Sequence, residues 1–141
     1  MHSVLGCLAC AGDKVAAAQH LVLQHAQTCV VSLGARGCVA RARDGRVGSS
    51  PAGGVTVVDT IGAGDYFTSG FLYAHLMGCS LQQCAAVGCA AGSEAVQTKG
   101  AILSDAAWQR LRRNVSAIMG TAPAKVVDAA ATEASKVLVA V

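Results

Sequence analysis

At 141 residues, 53% apolar and 13% charged, the chain suits one globular domain with a buried core and is too poor in charge to be disordered. Its net charge is +3; its arginines group at 36, 41, 43, 46 and at 110, 112, 113 without interleaved aromatics, which argues against a nucleic-acid surface. No apolar run reaches the roughly 20 residues of a membrane span, and the apolar opening MHSVLGCLACAG lacks the basic start of a secretory signal, so a cytoplasmic, reducing location is expected.

In chain order, Asp13 is placed to cap a helix running to about Gln27, with Val15, Ala18 and Val22 on its inner face. Residues 29–33, CVVSL, read as a buried strand, and GARG at 34–37 as a turn. CVARARDGRVG follows as a hairpin turning at Asp44-Gly45, with Cys38, Ala40 and Ala42 on one face and Val39, Arg41 and Arg43 on the other. A second strand is expected over 54–59, GVTVVD. A glycine turn then opens a helix from about Asp65 to Met77. Ser80 caps the next helix, which runs to about Gln97 before Gly100, and Asp105 caps one running to about Met119. After Pro123 an Ala-rich helix is expected over 124–139. The pattern predicts an α/β layer arrangement with few strands.

Aromatics make up only 4%, so the core must be built from Ala, Val and Leu. The seven cysteines show no regular spacing; Cys7 and Cys10 form a lone CxxC with no second pair or zinc-spaced His. Cys79, Cys84 and Cys89 lie five apart, which scatters them around a helix, and they read as small buried hydrophobes.

The chemistry concentrates in VVDTIGAGDYFTSGF, 57–71. A helix N-terminus offers unpaired N–H groups and partial positive charge, and Gly62 and Gly64 let a ligand approach the backbone closely. A carboxylate there repels an anion. It makes sense at Asp65 if it takes a proton from a hydroxyl attacking a phosphoryl group, while the amides stabilise the developing charge. The alternative is plain: Asp near a helix start is a common cap, and Gly-Ala-Gly a common turn. The dinucleotide fingerprint is excluded, because Phe67 stands where its third small residue belongs, and no GxxxxGK[ST] loop is present.

Asp59, Thr60, Gly62, Ala63, Gly64, Asp65, Phe67 and Gly70 match the pattern DTxGAGDxFxxG, and here the chain resembles the ribokinase-like (pfkB) carbohydrate and nucleoside kinases. The likeness runs from about Cys29 to Trp108: VVSLGARG is similar to that family's strand and nucleotide loop, and residues 88–101 to the helix and loop flanking adenine. The resemblance implies the C-terminal portion of a three-layer ribokinase-like fold. Within it, 29–119 is the nucleotide-binding and catalytic part, 1–28 a loosely matching helix, and 120–141 a helix or tail. It implies an ATP-dependent phosphotransferase acting on a sugar or nucleoside hydroxyl, with Mg²⁺ carried on ATP.

Asp65 would then be the general base, and Gly62, Ala63, Gly64 and the Asp65 amide the anion hole. Ser32, Gly34 and Gly37 would line the phosphate and ribose side of the nucleotide, with Cys89, Gly92 and Gly100 nearer the base. Asp59 and the carbonyl of Ile61 correspond to ligands of a monovalent cation such as K⁺; a simple Asx-turn at Asp59 is the alternative. Cys89 replaces the Asn or His that members often carry near adenine. The chain has about half the family's usual length, so the substrate platform is expected to lie in a missing N-terminal half. Such a piece would need a partner chain or a second copy to complete its sheet, or would bind nucleotide without turnover.

Overall fold

The computed structural model describes residues 12–120 and 137–140. Helix α1 spans Gly12–Val22, so Asp13 is its second residue and not its cap. It stops five residues short of Gln27, where the amides of His25 and Ala26 both turn back to the Val22 carbonyl at 2.9 Å. Strand β1, Thr28–Ser32, is rich in β-branched residues and pairs antiparallel with β2, Cys38–Ala42, from Thr28↔Ala42 to Ser32↔Cys38. The connection is a 3₁₀ turn, Gly34–Arg36, closed by Leu33 N–H donating to the Gly37 carbonyl at 2.7 Å.

The expected hairpin is present. Strand β3, Val47–Ser50, pairs antiparallel with β2, and the Arg46 amide donates to Asp44 Oδ1 at 3.1 Å across the turn. Cys38, Ala40 and Ala42 are buried and Arg41 is exposed, as strand alternation requires. Val39, expected on the solvent side, is buried as well: α1 lies there, and its fully buried Gln19 donates to the Val39 carbonyl at 3.0 Å. The inner face of α1 is thus marked by Gln19, while Ala18 is exposed and Val15 and Val22 are half-buried.

The strand expected over 54–59 is absent. Its amides turn to a helix end: Val58 and Asp59 both donate to the carbonyl of Val96, at 2.7 and 3.2 Å, and Val57 and Val58 stand exposed. A β-branched run without a neighbouring strand has no ladder to join. The fourth strand is β4, Val137–Ala140, parallel to β1 from Thr28↔Val137, giving the order β3-β2-β1-β4. The end of the Ala-rich helix expected over 124–139 is therefore strand; the rest of that segment lies outside the described residues.

Three more helices follow, of which the middle one packs on β2 and β3 and the other two pack on it. Helix α2, Ala63–Leu76, begins two residues before Asp65. Helix α3, Leu81–Ala95, starts with a full capping box: Ser80 Oγ accepts from the Gln83 amide at 3.3 Å, and Gln83 Oε1 accepts from the Ser80 amide at 3.0 Å. Helix α4, Asp105–Met119, is capped by Ser104, whose Oγ accepts from the Ala107 amide at 3.3 Å; Asp105 is its first residue, not its cap.

Helices α2 and α3 pack tightly because glycines face each other's backbone. A Cβ on Gly70 would lie 2.9 Å from the Ala91 Cβ, and one on Gly88 3.0 Å from the Phe67 ring. Phe67, Phe71, Val30, Val87, Cys84 and Leu81 anchor the main core between the sheet and these helices. A second cluster of Ala91, Ala95, Leu103, Ala107 and Leu111 holds α4 to α3. No helix among the described residues is long and apolar enough to cross a membrane.

Candidate functional site

The glycine turn sets up the N-terminus of α2. Gly62 is the residue before the helix and takes φ 79°, a left-handed conformation that suits glycine. A Cβ there would also press on the Ala101 Cβ at 3.1 Å. No side chain among the described residues caps the helix. Thr60 reverses the chain by accepting from the Ala63 amide at 3.2 Å, and Tyr66 N–H reaches the Gly62 carbonyl at 3.0 Å. The amides of Gly62, Gly64 and Asp65 have no acceptor among the described residues. Of the four donors read as an anion hole, Ala63 is thus already engaged in the turn and three are bare.

Asp65 occupies the first turn of α2, exposed, with its carboxylate unpaired among the described residues. Its side chain does not close the helix end, as the alternative reading of a cap would require.

Asp59 acts as a clasp. Its Oδ1 accepts from the Ile61 amide at 3.1 Å, an Asx-turn, and its Oδ2 accepts from the Gly100 amide at 2.9 Å. These two bonds, Gly100 first, hold its carboxyl below the usual carboxylate range. The clasp ties the loop after α3 to the turn before α2. Tyr66 adds a second tie, its hydroxyl donating to the Ala101 carbonyl at 3.2 Å, and its ring stands 5.9 Å from that of Trp108. Sequence reading missed Tyr66, because its position in the motif is unconstrained; its proximity to Ala101 becomes visible only once the two loops meet.

The other predicted residues gather at two places. Gly92, on α3, sits where an added Cβ would meet the Ala63 carbonyl at 3.4 Å, so it joins Gly62 and Gly100 around the start of α2. Cys89, one turn earlier on α3, lines a cleft of about 280 Å³ with Ser50, Pro51, Ser93, Glu94 and Gln97. Gly37, with φ 91° and ψ −135°, supports the rim: a Cβ there would lie 1.9 Å from the Ser50 carbonyl oxygen. Ser32 faces Cys38 across the β1–β2 ladder, and Gly34 is exposed at the turn with φ 58°. Asp65 is not among the residues lining the cleft; α3 connects the two places, with Gly92 toward the α2 N-terminus and Ser93 toward the cleft.

Polar contacts shape the cleft. Ser93 Oγ accepts from the Gly53 amide at 3.0 Å, fixing the loop after β3 against α3. Glu94 is buried and paired to Arg110 of α4, whose Nε donates to Glu94 Oε1 at 3.1 Å. Among the described residues no group of three or more His, Cys, Asp or Glu could hold a metal ion.

The sequence pattern of the pfkB family carbohydrate kinases matches residues 9–108. An uncharacterized sugar kinase of Archaeoglobus fulgidus is 34% identical over 89 residues, 63% of this chain and 35% of that protein. The fructoselysine 6-kinase of Escherichia coli is 40% identical over 83 residues, 57% of this chain and 31% of that protein. The solved adenosine kinase of Sinorhizobium meliloti superposes with a TM-score of 0.62 at 26% identity, covering 69% of this chain and 30% of that one. The chain thus spans about a third of the length of the relatives it matches.

Proposed function

The chain belongs to the pfkB family of carbohydrate kinases, and on that premise we propose that it carries the phosphoryl-donor side and the general base of an ATP-dependent phosphotransferase. The acceptor is a hydroxyl of a sugar or a nucleoside. The observation that carries this reading is the start of α2: three amides that find no acceptor among the described residues, beside an exposed carboxylate unpaired among them.

Anions are favoured at such a terminus by the helix dipole and by the free N–H groups together. The amides of Gly62, Gly64 and Asp65 would hold the phosphoryl group as charge builds on its oxygens. Donors aimed at developing charge are typically worth about 10²–10³ in rate each. Asp65 then accepts the proton of the attacking hydroxyl. Because its carboxylate is not tied to the helix end, it is free to do so. Mg²⁺, arriving with ATP, would offset phosphate charge; the described residues contain no carboxylate cluster that would hold it by themselves. Asp59 and the Ile61 carbonyl are the residues that would hold a K⁺ behind the amides, on the carboxylate lone pairs that the two clasp bonds leave over.

The cleft beside Cys89 fits the base of the nucleotide. It has apolar walls in Pro51, Val55 and Ala90, and a few polar groups in Ser93, Glu94 and Gln97. Ser32, Gly34 and Gly37 would flank the ribose and phosphates. The rest of the acceptor pocket would come from the part of the family's length that this chain does not span. The partners proposed are a small hydroxylated substrate and the chain segment that completes the sheet, with no nucleic acid.

The test is phosphoryl transfer from Mg·ATP to a panel of sugars and nucleosides, run with wild type and Asp65→Asn. Transfer in the wild type should fall by about 10²–10⁴-fold in the variant, the usual contribution of a general base, while nucleotide binding persists. Equal rates in both proteins would refute the role of Asp65. Nucleotide binding without transfer by the wild type would leave a binding half-domain acting through its partner.

A further inference from the structure

Two cysteines meet at the wall of the cleft. Cys38 opens β2 immediately after Gly37, and Cys89 lies on α3, 51 residues later. Their Sγ atoms are 3.6 Å apart. Both side chains are buried, but Cys89 lines the cleft, so a small reagent can reach it from there. Each thiol is also near a carbonyl: Cys38 Sγ is 3.7 Å from the Ala85 oxygen, and Cys89 Sγ is 3.6 Å from that of Ser50.

We propose that Cys38 and Cys89 are a redox pair that closes to a disulfide and locks the wall of the cleft. A disulfide requires about 2.05 Å between sulfurs, so closure draws them together by about 1.5 Å. That movement pulls the start of β2, and with it the Gly34–Gly37 turn, toward α3. The turn and the cleft wall are the two surfaces read above as contacting nucleotide, so closure alters nucleotide affinity. This last step rests on the kinase reading; the bridge itself does not.

The oxidant is a low-molecular-weight disulfide of the glutathione type. The Cys89 thiolate attacks one of its sulfurs, forms a mixed disulfide and expels one small thiolate. Cys38 then gives up its proton, attacks Cys89 Sγ and expels the second. Two protein thiols and one small disulfide become one protein disulfide and two small thiols, so atoms and electrons balance. The order follows from the local chemistry. The hydrogen bond shared with Cys38 pulls the Cys89 thiol below its ordinary range, whereas that same bond, together with burial, holds Cys38 well above it. Burial pushes Cys84 up to about 12 and raises Cys29 and Cys79, and Cys84 faces the Cys79 carbonyl at 3.6 Å instead of another sulfur.

The experiment uses the full chain carrying Cys7→Ser and Cys10→Ser, which removes the CxxC pair. It is incubated with excess oxidised glutathione, free thiols are alkylated, and peptides are mapped by mass. The expected product links Cys38 to Cys89, is two hydrogens lighter, reverts with dithiothreitol, and melts roughly 10 °C higher. Cys38→Ala should stop at glutathione on Cys89, whereas Cys29→Ala should still bridge. A stable glutathione adduct on Cys89 with Cys38 intact, or a different pairing, overturns the proposal. Mg·ATP should slow the reaction by covering Cys89. If the bridge forms at an unchanged rate under saturating Mg·ATP, the nucleotide reading of the cleft fails while the redox pair stands.

Discussion

Gly34 and Gly37 sit three residues apart in one turn, both with positive φ, and their alanine variants should differ sharply. Gly34 has φ 58° and open space around an added Cβ. Alanine there costs about 1–2 kcal/mol of left-handed strain, offset by about 0.4–1 kcal/mol from a stiffer unfolded chain, a net loss below about 1.5 kcal/mol. Gly37 has φ 91° and ψ −135°, and an added Cβ would lie 1.9 Å from the Ser50 carbonyl oxygen and 2.7 Å from the Pro51 Cα. Backbone must therefore move, and the end of the β2–β3 ladder at Cys38↔Ser50 opens. Strain of about 1–3 kcal/mol and a lost ladder bond of about 1 kcal/mol bring the cost to about 2–4 kcal/mol. With a urea slope of about 2 kcal/mol/M, the midpoint should fall by about 1–2 M for Gly37→Ala and by less than about 0.8 M for Gly34→Ala. Equal midpoints for the two variants would refute the steric argument for this rim of the cleft.

Further outcomes follow from the same structure. Phe71→Ala, at a fully buried site between sheet and helices, should lose about 3–5 kcal/mol by urea unfolding. Gly70→Val should cost about 1–3 kcal/mol by wedging α2 from α3, where even one carbon meets the Ala91 Cβ at 2.9 Å; an unchanged melting point would contradict that packing. Asp59→Asn tests the clasp through pH. The folded carboxyl titrates below its ordinary value of about 3.9, so its stabilisation is complete above that value and is lost as pH falls through the lowered one. The melting-point gap between wild type and Asp59→Asn should be widest at neutral pH and shrink toward pH 3, whereas a constant gap would rule the clasp out.

The helices and the first three strands were legible because each carries its own local signal. Ser80 with Gln83 marks a capping box, Asp44-Gly45 marks a hairpin turn, and alternation on β2 separates Arg41 from Ala40 and Ala42. What was not legible depends on distant partners. Residues 54–59 have strand composition, but Val58 and Asp59 find the Val96 carbonyl instead of a neighbouring strand. Residues 137–140 lie in an Ala-rich stretch, yet pair with β1 more than a hundred residues away in sequence. Gln19 reads as a surface residue until α1 closes over Val39. The motif around Asp65 announced itself, because a bare helix start is a local property. The Asp59–Gly100 clasp and the Tyr66–Ala101 tie required two loops to meet.

On the proposed reading, the start of α2 would bind phosphate through main-chain donors, beside a carboxylate that does not assist binding. Isothermal titration of adenosine, ADP and ATP, each with Mg²⁺, against wild type and Asp65→Asn measures this directly. Affinity should rise with each phosphate in the wild type, and ATP binding should be retained or tightened in the variant because a like charge is gone. Equal affinity for adenosine and ATP, or loss of ATP binding in Asp65→Asn, would contradict it.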